Sequence, residues 1–281
     1  MLRRAFLALG LAAALSSLAG LAPTRAMADP VDDLAAAMAL PRLFQTLRAE
    51  GLDYGAELEG ELFPGAGGAR WQAIVDAIHD PARMEVTAMA RLRADLGAAP
   101  DEVARMTAFF RADPGARIVA LELAAREGYL DPTVKEAAEV AHDEMVARAD
   151  PRLDLIARLV VANDLIEQNV AGALNANLAF YKGMVDGGAV GATLPDAEMM
   201  ADLWSQEAQI RDDTMAWLLP YLALAYRPLS DADLETYIAF SETPEGQLLN
   251  SALFTAFNTV CNDLSRDLGL AAAQFLQGQD I

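Results

Sequence analysis

Apolar side chains recur at helical spacing along most of this sequence. Trp71, Ile74, Val75 and Ile78 show the pattern, with apolar positions three or four residues apart that fall on one face of a helix. Alternating runs of β-branched and polar residues, which would predict strands, are missing. The pattern therefore predicts an all-α fold, a helical bundle.

An Asp or Thr followed directly by Pro occurs six times along the chain. The short side chain can accept a hydrogen bond from a free amide of the first helical turn, and proline at that position loses no needed donor. Each pair therefore predicts a helix start. The pairs are Asp29-Pro30, Asp80-Pro81, Asp113-Pro114, Asp131-Pro132, Asp150-Pro151 and Thr243-Pro244. Capping boxes are expected at residues 230–233 and 193–196.

These starts, together with the apolar spacing, set the predicted helices. They cover residues 31–50, 69–79, 81–96, 101–112, 114–127, 132–149, 151–182, 196–226, 231–242 and 244–277. Glycine-rich segments at 63–68 and 186–191 break the helical pattern. Neither segment ends in the Gly-Lys-Ser/Thr of a phosphate-binding loop, so both are expected to be helix connectors.

The two halves of the chain resemble each other. Residues 101–118 align without gaps on residues 232–249, so that Phe109 meets Phe240 and Gly115 meets Gly246. Trp71 and Trp204 lie at similar distances upstream of these phenylalanines. The pattern predicts two pseudo-repeated helical units.

Phe240, near the end of a predicted helix, is followed by a Ser/Thr-Pro-x-Gly helix start at Thr243, Pro244 and Gly246. This arrangement resembles the motif of a bacterial family, domain of unknown function 2059, in which a helix ends in phenylalanine before such a start. The first-half counterpart keeps Phe109 and Gly115 but moves the proline by one position. The resemblance implies an exported, helical, envelope-associated protein, and it carries no activity.

The motif also has a structural interpretation. Thr243 can cap a helix, Pro244 suits its first turn, and Gly246 permits close approach of the preceding helix or of Phe240. We therefore expect the motif residues Phe109, Gly115, Phe240, Thr243, Pro244 and Gly246 to form helix corners rather than a binding site.

The N-terminus has the pattern of a cleaved signal peptide. Arg3 and Arg4 precede an apolar run, and residues 26–28, Ala-Met-Ala, match the small-x-small cleavage pattern. Ser16 and Pro23 interrupt the apolar stretch, so it is not expected to remain as a membrane span. The predicted organisation is a signal peptide at 1–28, a first helical unit at 29–150 and a second at 151–281, in the periplasm or secreted.

The composition is strongly acidic, with 41 acidic and 21 basic residues and a formal charge of −20. Removal of residues 1–28 would take away three arginines and bring the charge to −23. Nucleic acid needs clustered Lys and Arg, so it is excluded as an expected partner. The charge is expected to serve solubility. Cys261, the single cysteine, lies in an apolar stretch and is expected to be buried as a small hydrophobic residue.

The sequence contains two histidines, which are the first candidates for a catalytic base or a metal ligand. No Gly-x-Ser-x-Gly elbow, His-Glu-x-x-His motif or cysteine cluster occurs in the sequence. Asp76 and Glu139 each precede a histidine, His79 and His142, by three residues, as in two-metal carboxylate bundles. His79 would also suit a helix C-terminus as a cation, and the acidic neighbours of His142 indicate a solvated surface. We predict that neither histidine binds a metal.

Three further groups remain after this search. Glu57, Glu59 and Glu61 point in different directions on a helix and indicate a solvated face rather than a glycosidase pair. The aromatic stretch at 217–226 is expected to be a buried central helix of the second unit. Asn163, Asn169, Asn175 and Asn177 with Gln168 are expected to form a polar packing seam between the units, with a small-molecule cleft as the alternative.

No residue is assigned as catalytic, cofactor-binding or metal-binding from the sequence, and no cofactor is expected. The favoured function is a non-catalytic envelope protein that binds a partner or a small ligand. A metal-dependent enzyme with a carboxylate-histidine site is the alternative, and a purely structural or assembly factor is a third possibility.

Overall fold

The computed structural model describes residues 29–189, 201 and 204–278. These residues form helices and no strand, so the all-α prediction is confirmed. The helices are α1 (Pro30–Ala37), α2 (Leu40–Leu62), α3 (Gly68–Ile78), α4 (Pro81–Leu96), α5 (Pro100–Arg111), α6 (Gly115–Gly128), α7 (Pro132–Ala147), α8 (Arg152–Ala162), α9 (Leu165–Asp186), α10 (Glu207–Tyr226), α11 (Asp231–Ser241) and α12 (Pro244–Leu276). Within the described residues, no helix combines the length and apolar character that a bilayer span requires.

Most predicted caps are present. The Asp80 and Asp131 carboxylates accept from the amides of Ala82 and Thr133, each at 2.8 Å, and Asp29, Asp150 and Thr243 cap in the same manner. Ser230 and Asp233 form the predicted capping box. The exception is α6, whose start carries no side-chain cap, so the cap predicted for Asp113 is wrong. The capping box expected at residues 193–196 lies outside the described residues.

Two helices predicted as continuous are broken. The helix predicted over 31–50 is interrupted at Ala39 (φ 41°), and the helix over 151–182 is interrupted at Asp164 (φ 51°). A residue in the left-handed region ends the regular backbone bonding and redirects the chain. Pro41 lies two residues after the first break, and the polar pair Asn163-Asp164 lies at the second.

Two clusters of buried apolar side chains form the core. The first core cluster contains residues of α1 to α5, Val119 and Leu123 of α6, Phe180 and Met184 of α9, and the buried side of α12. The second core cluster contains Ile118 and Ala125 of α6 and residues of α8, α10 and α11, with Leu229 between the last two. Both clusters therefore draw on the two sides of residue 150. The domain boundary placed there stays a prediction.

Helices α9 and α12 pack with their backbones close together. A Cβ atom built on Gly183 would lie 2.1 Å from the carbonyl oxygen of Arg266, and one on Gly269 would lie 2.2 Å from that of Phe180. Each helix therefore needs a glycine where the other helix crosses it. This close approach joins α9 to the long helix α12, whose buried side belongs to the first core cluster.

Candidate functional site

The structure places the motif residues at two helix corners of the same kind. A Cβ atom built on Gly246 would lie 2.1 Å from the carbonyl oxygen of Phe240, and one on Gly115 would lie 2.2 Å from that of Phe109. In both corners the second helix turns so tightly against the end of the first that only glycine fits. Thr243 Oγ1 also donates to the Phe240 carbonyl at 2.6 Å.

The two corners contact each other. The rings of Phe109 and Phe240 stack with centroids 3.9 Å apart and planes 7° from parallel. Phe110 meets Phe240 edge-on at 5.4 Å, and Tyr237 lies parallel to Phe109 at 6.3 Å. The motif phenylalanines therefore join the α5–α6 corner to the α11–α12 corner.

Ion pairs lie on both sides of this aromatic contact. Arg105 of α5 bonds Glu245 of α12 at 2.6 Å, and Arg117 of α6 bonds Asp233 of α11 at 2.5 Å. The α5–α6 corner thus contributes two arginines, one from each of its helices. The α11–α12 corner contributes two carboxylates, again one from each helix. All four side chains are partly exposed, so the pairs orient the corners more than they stabilise them.

A cavity of about 90 Å³ lies beside the α11–α12 corner. Its inner wall contains buried residues of α6 and α10, and its outer end contains partly exposed residues of α9 and α12. Most of the lining is apolar or aromatic, with a few polar groups. The lining includes Glu122, Asn163, Tyr221, Tyr226, Tyr237, Ser241, Asn250 and Leu253, together with the rings of Phe110, Phe240 and Phe254.

Glu122 is the acid of this cavity, and 6% of its surface is exposed. The Tyr226 hydroxyl donates to its Oε1 atom, and Tyr237 forms a second side-chain hydrogen bond to it. Burial raises the pKa of Glu122 to about 7, although the two tyrosine bonds act in the opposite direction. The carboxyl group thus changes charge near neutral pH.

The tyrosines around Glu122 are held firmly. The Tyr221 hydroxyl donates to the backbone carbonyl of Glu122 at 2.8 Å, and the Tyr221 ring stacks on Trp217 at 4.8 Å. Burial raises the pKa of Tyr226 and of Tyr237 well above the ordinary value, with Glu122 adding to the shift. These hydroxyls therefore stay protonated and act as donors.

Amide and hydroxyl groups form another part of the wall. Asn163 Nδ2 donates to Ser241 Oγ at 3.1 Å and to the Leu159 carbonyl, and Asn250 Nδ2 donates to the Asn163 carbonyl at 2.9 Å. This network joins the end of α8 to α11 and α12. Asn163 therefore belongs both to a packing contact and to the cavity wall.

The other amides of the Asn-rich segment do not join this network. Asn169 donates to the Leu165 carbonyl of its own helix at 2.6 Å, and Gln168 donates to Asp164 at 3.2 Å. Asn175 is exposed. The amide network that joins α8 to α11 and α12 contains Asn163, Asn250 and also Gln247, whose Nε2 atom donates to the Ala162 carbonyl at 2.7 Å and to the Ser241 carbonyl at 2.6 Å.

One turn after Glu122, the buried Arg126 forms an ion pair with the partly exposed Glu50 of α2. The two bonds of this pair are each 2.7 Å long. The Arg126 guanidinium is paired with Glu50. Among the described residues, no basic side chain forms an ion pair with Glu122. Burial raises the pKa of the nearby Cys261 thiol to about 12, so the thiol stays neutral.

The two histidines lie in different surroundings. His79 ends α3 with 1% of its surface exposed, and its Nδ1 atom lies 2.8 Å from the Val75 carbonyl. His79 thus lies at a helix end, as considered from the sequence, but burial lowers its pKa and favours the neutral imidazole over the cation. His142 is also more covered than expected, with 15% of its side chain exposed.

The carboxylates that precede these histidines have other partners. Asp76 accepts from Arg48 at 2.7 Å, and Glu139 lies 3.8 Å from Lys135. The 87% exposed Asp143 has its Oδ1 atom 3.9 Å from His142 Nδ1. Within the part of the chain that the structure describes, no three His, Cys, Asp or Glu side chains are grouped as metal ligands.

Glu59 has a role that the sequence did not indicate. Its Oε1 atom accepts from the amides of Gly67 and Gly68, each at 3.0 Å, and so caps the start of α3 from the preceding helix. Glu57 and Glu61 are exposed, as expected of a solvated face. The acidic cluster is therefore divided between a structural bond and solvent.

Sequence reasoning missed Glu122 and Tyr237 as site residues. Glu122 lies in a part of α6 that contains no recognisable motif. Its burial depends on α10 and α11, which are far away in the sequence. The expected burial of the 217–226 stretch, where Tyr221 and Tyr226 occur, was the one available signal. Comparison with protein-family models, curated proteins and solved structures finds no match to this chain.

Proposed function

We propose that this chain is a non-catalytic binding protein that takes a small ligand into the cavity beside the α11–α12 corner. The observation that carries the proposal is that Glu122, a buried acidic residue, lines this cavity. The favoured function from the sequence was binding of a partner or a small ligand, and the cavity supports the small ligand.

Two features of the cavity oppose stability. A buried carboxyl group lowers the stability of the fold because burial removes it from water. A cavity lowers it as well, because the side chains around the cavity lose packing contacts. A core selected for stability alone would replace both with apolar side chains. Their occurrence together is typical of a site retained for binding.

The size of the cavity limits the ligand. A volume of about 90 Å³ holds roughly six water-sized groups, because one water needs about 10–15 Å³ of such space. A compact molecule of about that many non-hydrogen atoms fits. The partly exposed Leu253 lies on α12 at the outer end of the cavity, where such a molecule would enter.

The proposal includes an exported protein of the bacterial envelope, periplasmic or secreted. The basic start, the apolar run and the cleavage pattern at residues 26–28 support this location, as does the resemblance to domain of unknown function 2059. Intact-mass measurement on envelope fractions tests the location. We expect a chain that begins at Asp29, and a chain that retains residues 1–28 would contradict it.

A ligand screen with a blocked cavity tests the binding function. Leu253→Trp places a large ring at the outer end of the cavity, and Leu276→Trp, on an exposed position at the end of the same helix, is the matched control. A small-molecule library with cationic, neutral and anionic members is screened by thermal shift. A ligand at about 100 times its Kd raises Tm by about 5–10 °C.

We expect hits with the wild type and with Leu276→Trp, and their loss with Leu253→Trp. If no library member stabilises the wild type, or if every hit persists in Leu253→Trp, the proposed binding function is wrong.

A further inference from the structure

The chemistry of the inner wall selects among small ligands. The two oxygen atoms of Glu122 offer several acceptor positions. The hydroxyls of Tyr226 and Tyr237 occupy only some of these positions. No described ion pair places a cation on this carboxyl. The wall therefore offers acceptor capacity and negative charge to whatever enters the cavity.

Aromatic rings surround the rest of the cavity. They are the rings of Phe110, Tyr221, Tyr226, Tyr237, Phe240 and Phe254. The face of an aromatic ring attracts a cation, and the attraction is strongest where water is excluded. A carboxylate together with several ring faces is the combination by which proteins recognise organic ammonium ions.

Other ligand classes fit this wall less well. An anion would face Glu122, whose ionised form repels it. A neutral apolar molecule would leave the carboxyl without a new partner, and a hydrated metal ion would find one carboxylate and mainly apolar walls. A small organic ammonium uses both the charge and the rings.

We infer that the cavity binds a small organic ammonium ion, with the Glu122 carboxylate as its counter-ion and the aromatic rings as its walls. This inference rests on the proposed binding function and names the class of ligand. Entry of the cation ionises Glu122, and the carboxyl proton is released to solvent as the ammonium takes its place. Other ionisable groups around Glu122 are Tyr221 and Tyr226 of α10, Tyr237 of α11 and the Arg126–Glu50 pair.

Calorimetric titration with probes matched in size tests the class of ligand. Tetramethylammonium and n-butylammonium are compared with the neutral tert-butanol and n-butanol and with the anion butyrate. We expect the ammonium ions to bind at least about tenfold more tightly than the alcohols, and butyrate to bind most weakly.

Glu122→Gln removes the charge and keeps the shape of the side chain. We expect this variant to lose the preference for ammonium and to retain its binding of the alcohols. Glu136→Gln, on the exposed side of α7, is the matched control and should behave as the wild type. Circular dichroism checks that the variants are folded.

Proton release gives a readout that a merely structural Glu122 would not change. Ammonium titrations at pH 6 in two buffers of different ionisation enthalpy should give different heats, because up to one proton leaves per ligand bound. Glu122→Gln should give equal heats in the two buffers.

The outcomes separate this inference from the proposed function. If the alcohols bind the wild type as tightly as the ammonium ions, or if Glu122→Gln keeps the ammonium preference, the ammonium assignment is wrong and the cavity remains a binding site. If none of the five probes binds at millimolar concentration, the ammonium assignment is also wrong, and the library screen with Leu253→Trp decides the binding function by itself.

Discussion

Gly246 and Gly115 leave no space for a side chain, because a Cβ atom at either position would meet a backbone carbonyl at 2.1–2.2 Å. Backbone cannot rotate away as the end of a flexible side chain can. We expect Gly246→Ala and Gly115→Ala each to lower the free energy of unfolding by about 2–3 kcal/mol, measured by urea unfolding.

Gly60 provides the matched control for these two substitutions. It lies on the exposed side of α2, and a Cβ atom there would meet nothing within 4 Å. Gly60→Ala should raise the free energy of unfolding by about 0.5–1 kcal/mol, because alanine has the higher helix propensity. Equal losses at positions 60 and 246 would refute the steric explanation.

The acid in the cavity gives stability a pH dependence of defined sign. Burial raises the pKa of Glu122 to about 7 in the folded protein, above its ordinary value of 4.5. Between these values the folded state binds more protons than the unfolded state, so this group's contribution falls as pH rises from about 4.5 to 7 and is constant above that range. The loss is at most about 3 kcal/mol.

Comparison with Glu122→Gln isolates that contribution, because the other carboxyl groups are common to both proteins. We expect the wild type to become less stable relative to Glu122→Gln when the pH changes from 5 to 8, in urea unfolding at both values. A difference between the two proteins that does not change with pH would show that Glu122 is ionised throughout.

The site residues show what a sequence can and cannot predict at this scale. The apolar and aromatic character of residues 217–226 correctly indicated a buried helix, in which Tyr221 and Tyr226 lie. Glu122 resembles any glutamate of an acidic helix, because its depth is decided by helices distant in the sequence. The sequence can therefore identify part of the cavity wall but not its acid.

At the scale of helices, the corner before α12 depends on one hydroxyl group. Thr243 Oγ1 accepts from the Gly246 amide at 3.0 Å and donates to the Phe240 carbonyl at 2.6 Å, so it bonds both helices of the corner. We expect Thr243→Ala to lower the free energy of unfolding by about 1 kcal/mol, in the range found for helix caps.

Thr236→Ala is the control for the helix cap. Thr236 lies in α11, is exposed, and donates to the Ala232 carbonyl at 2.8 Å without capping a helix. This substitution should leave the midpoint of urea unfolding unchanged or raise it slightly. A larger loss for Thr236→Ala than for Thr243→Ala would contradict the capping role.

Most helix positions were predictable because local signals set them. The Asp-Pro and Thr-Pro pairs mark starts, and those at Asp29, Asp80, Asp131, Asp150 and Thr243 carry the expected side-chain bonds. The breaks at Ala39 and Asp164 were missed because neither residue is a glycine, which is the usual sequence signal of a positive φ. Other residues seldom adopt this conformation.

For the whole molecule, the predicted division into units at 29–150 and 151–281 can be tested by cutting the chain. The first core cluster includes the buried side of α12, which belongs to the second fragment. We expect a fragment of residues 29–150 to lack cooperative unfolding by circular dichroism, because its cluster would be open to water. Addition of fragment 151–281 should restore a folded complex.

A cooperative transition of the first fragment alone would contradict this expectation.

The internal duplication of the chain also stays a prediction. The alignment of 101–118 with 232–249 gives two similar corners, although Trp71 is buried and Trp204 is 59% exposed. Local equivalence at the corners therefore does not extend to the two tryptophans.

The position of α12 in the first core cluster sets an order of events during synthesis. Helix α12 extends from Pro244 to Leu276, whereas α1 to α5 are synthesised well before it. The first cluster cannot close until α12 has been added, because α12 forms one of its walls. The apolar surfaces of α1 to α5 therefore remain uncovered while the intervening residues are synthesised.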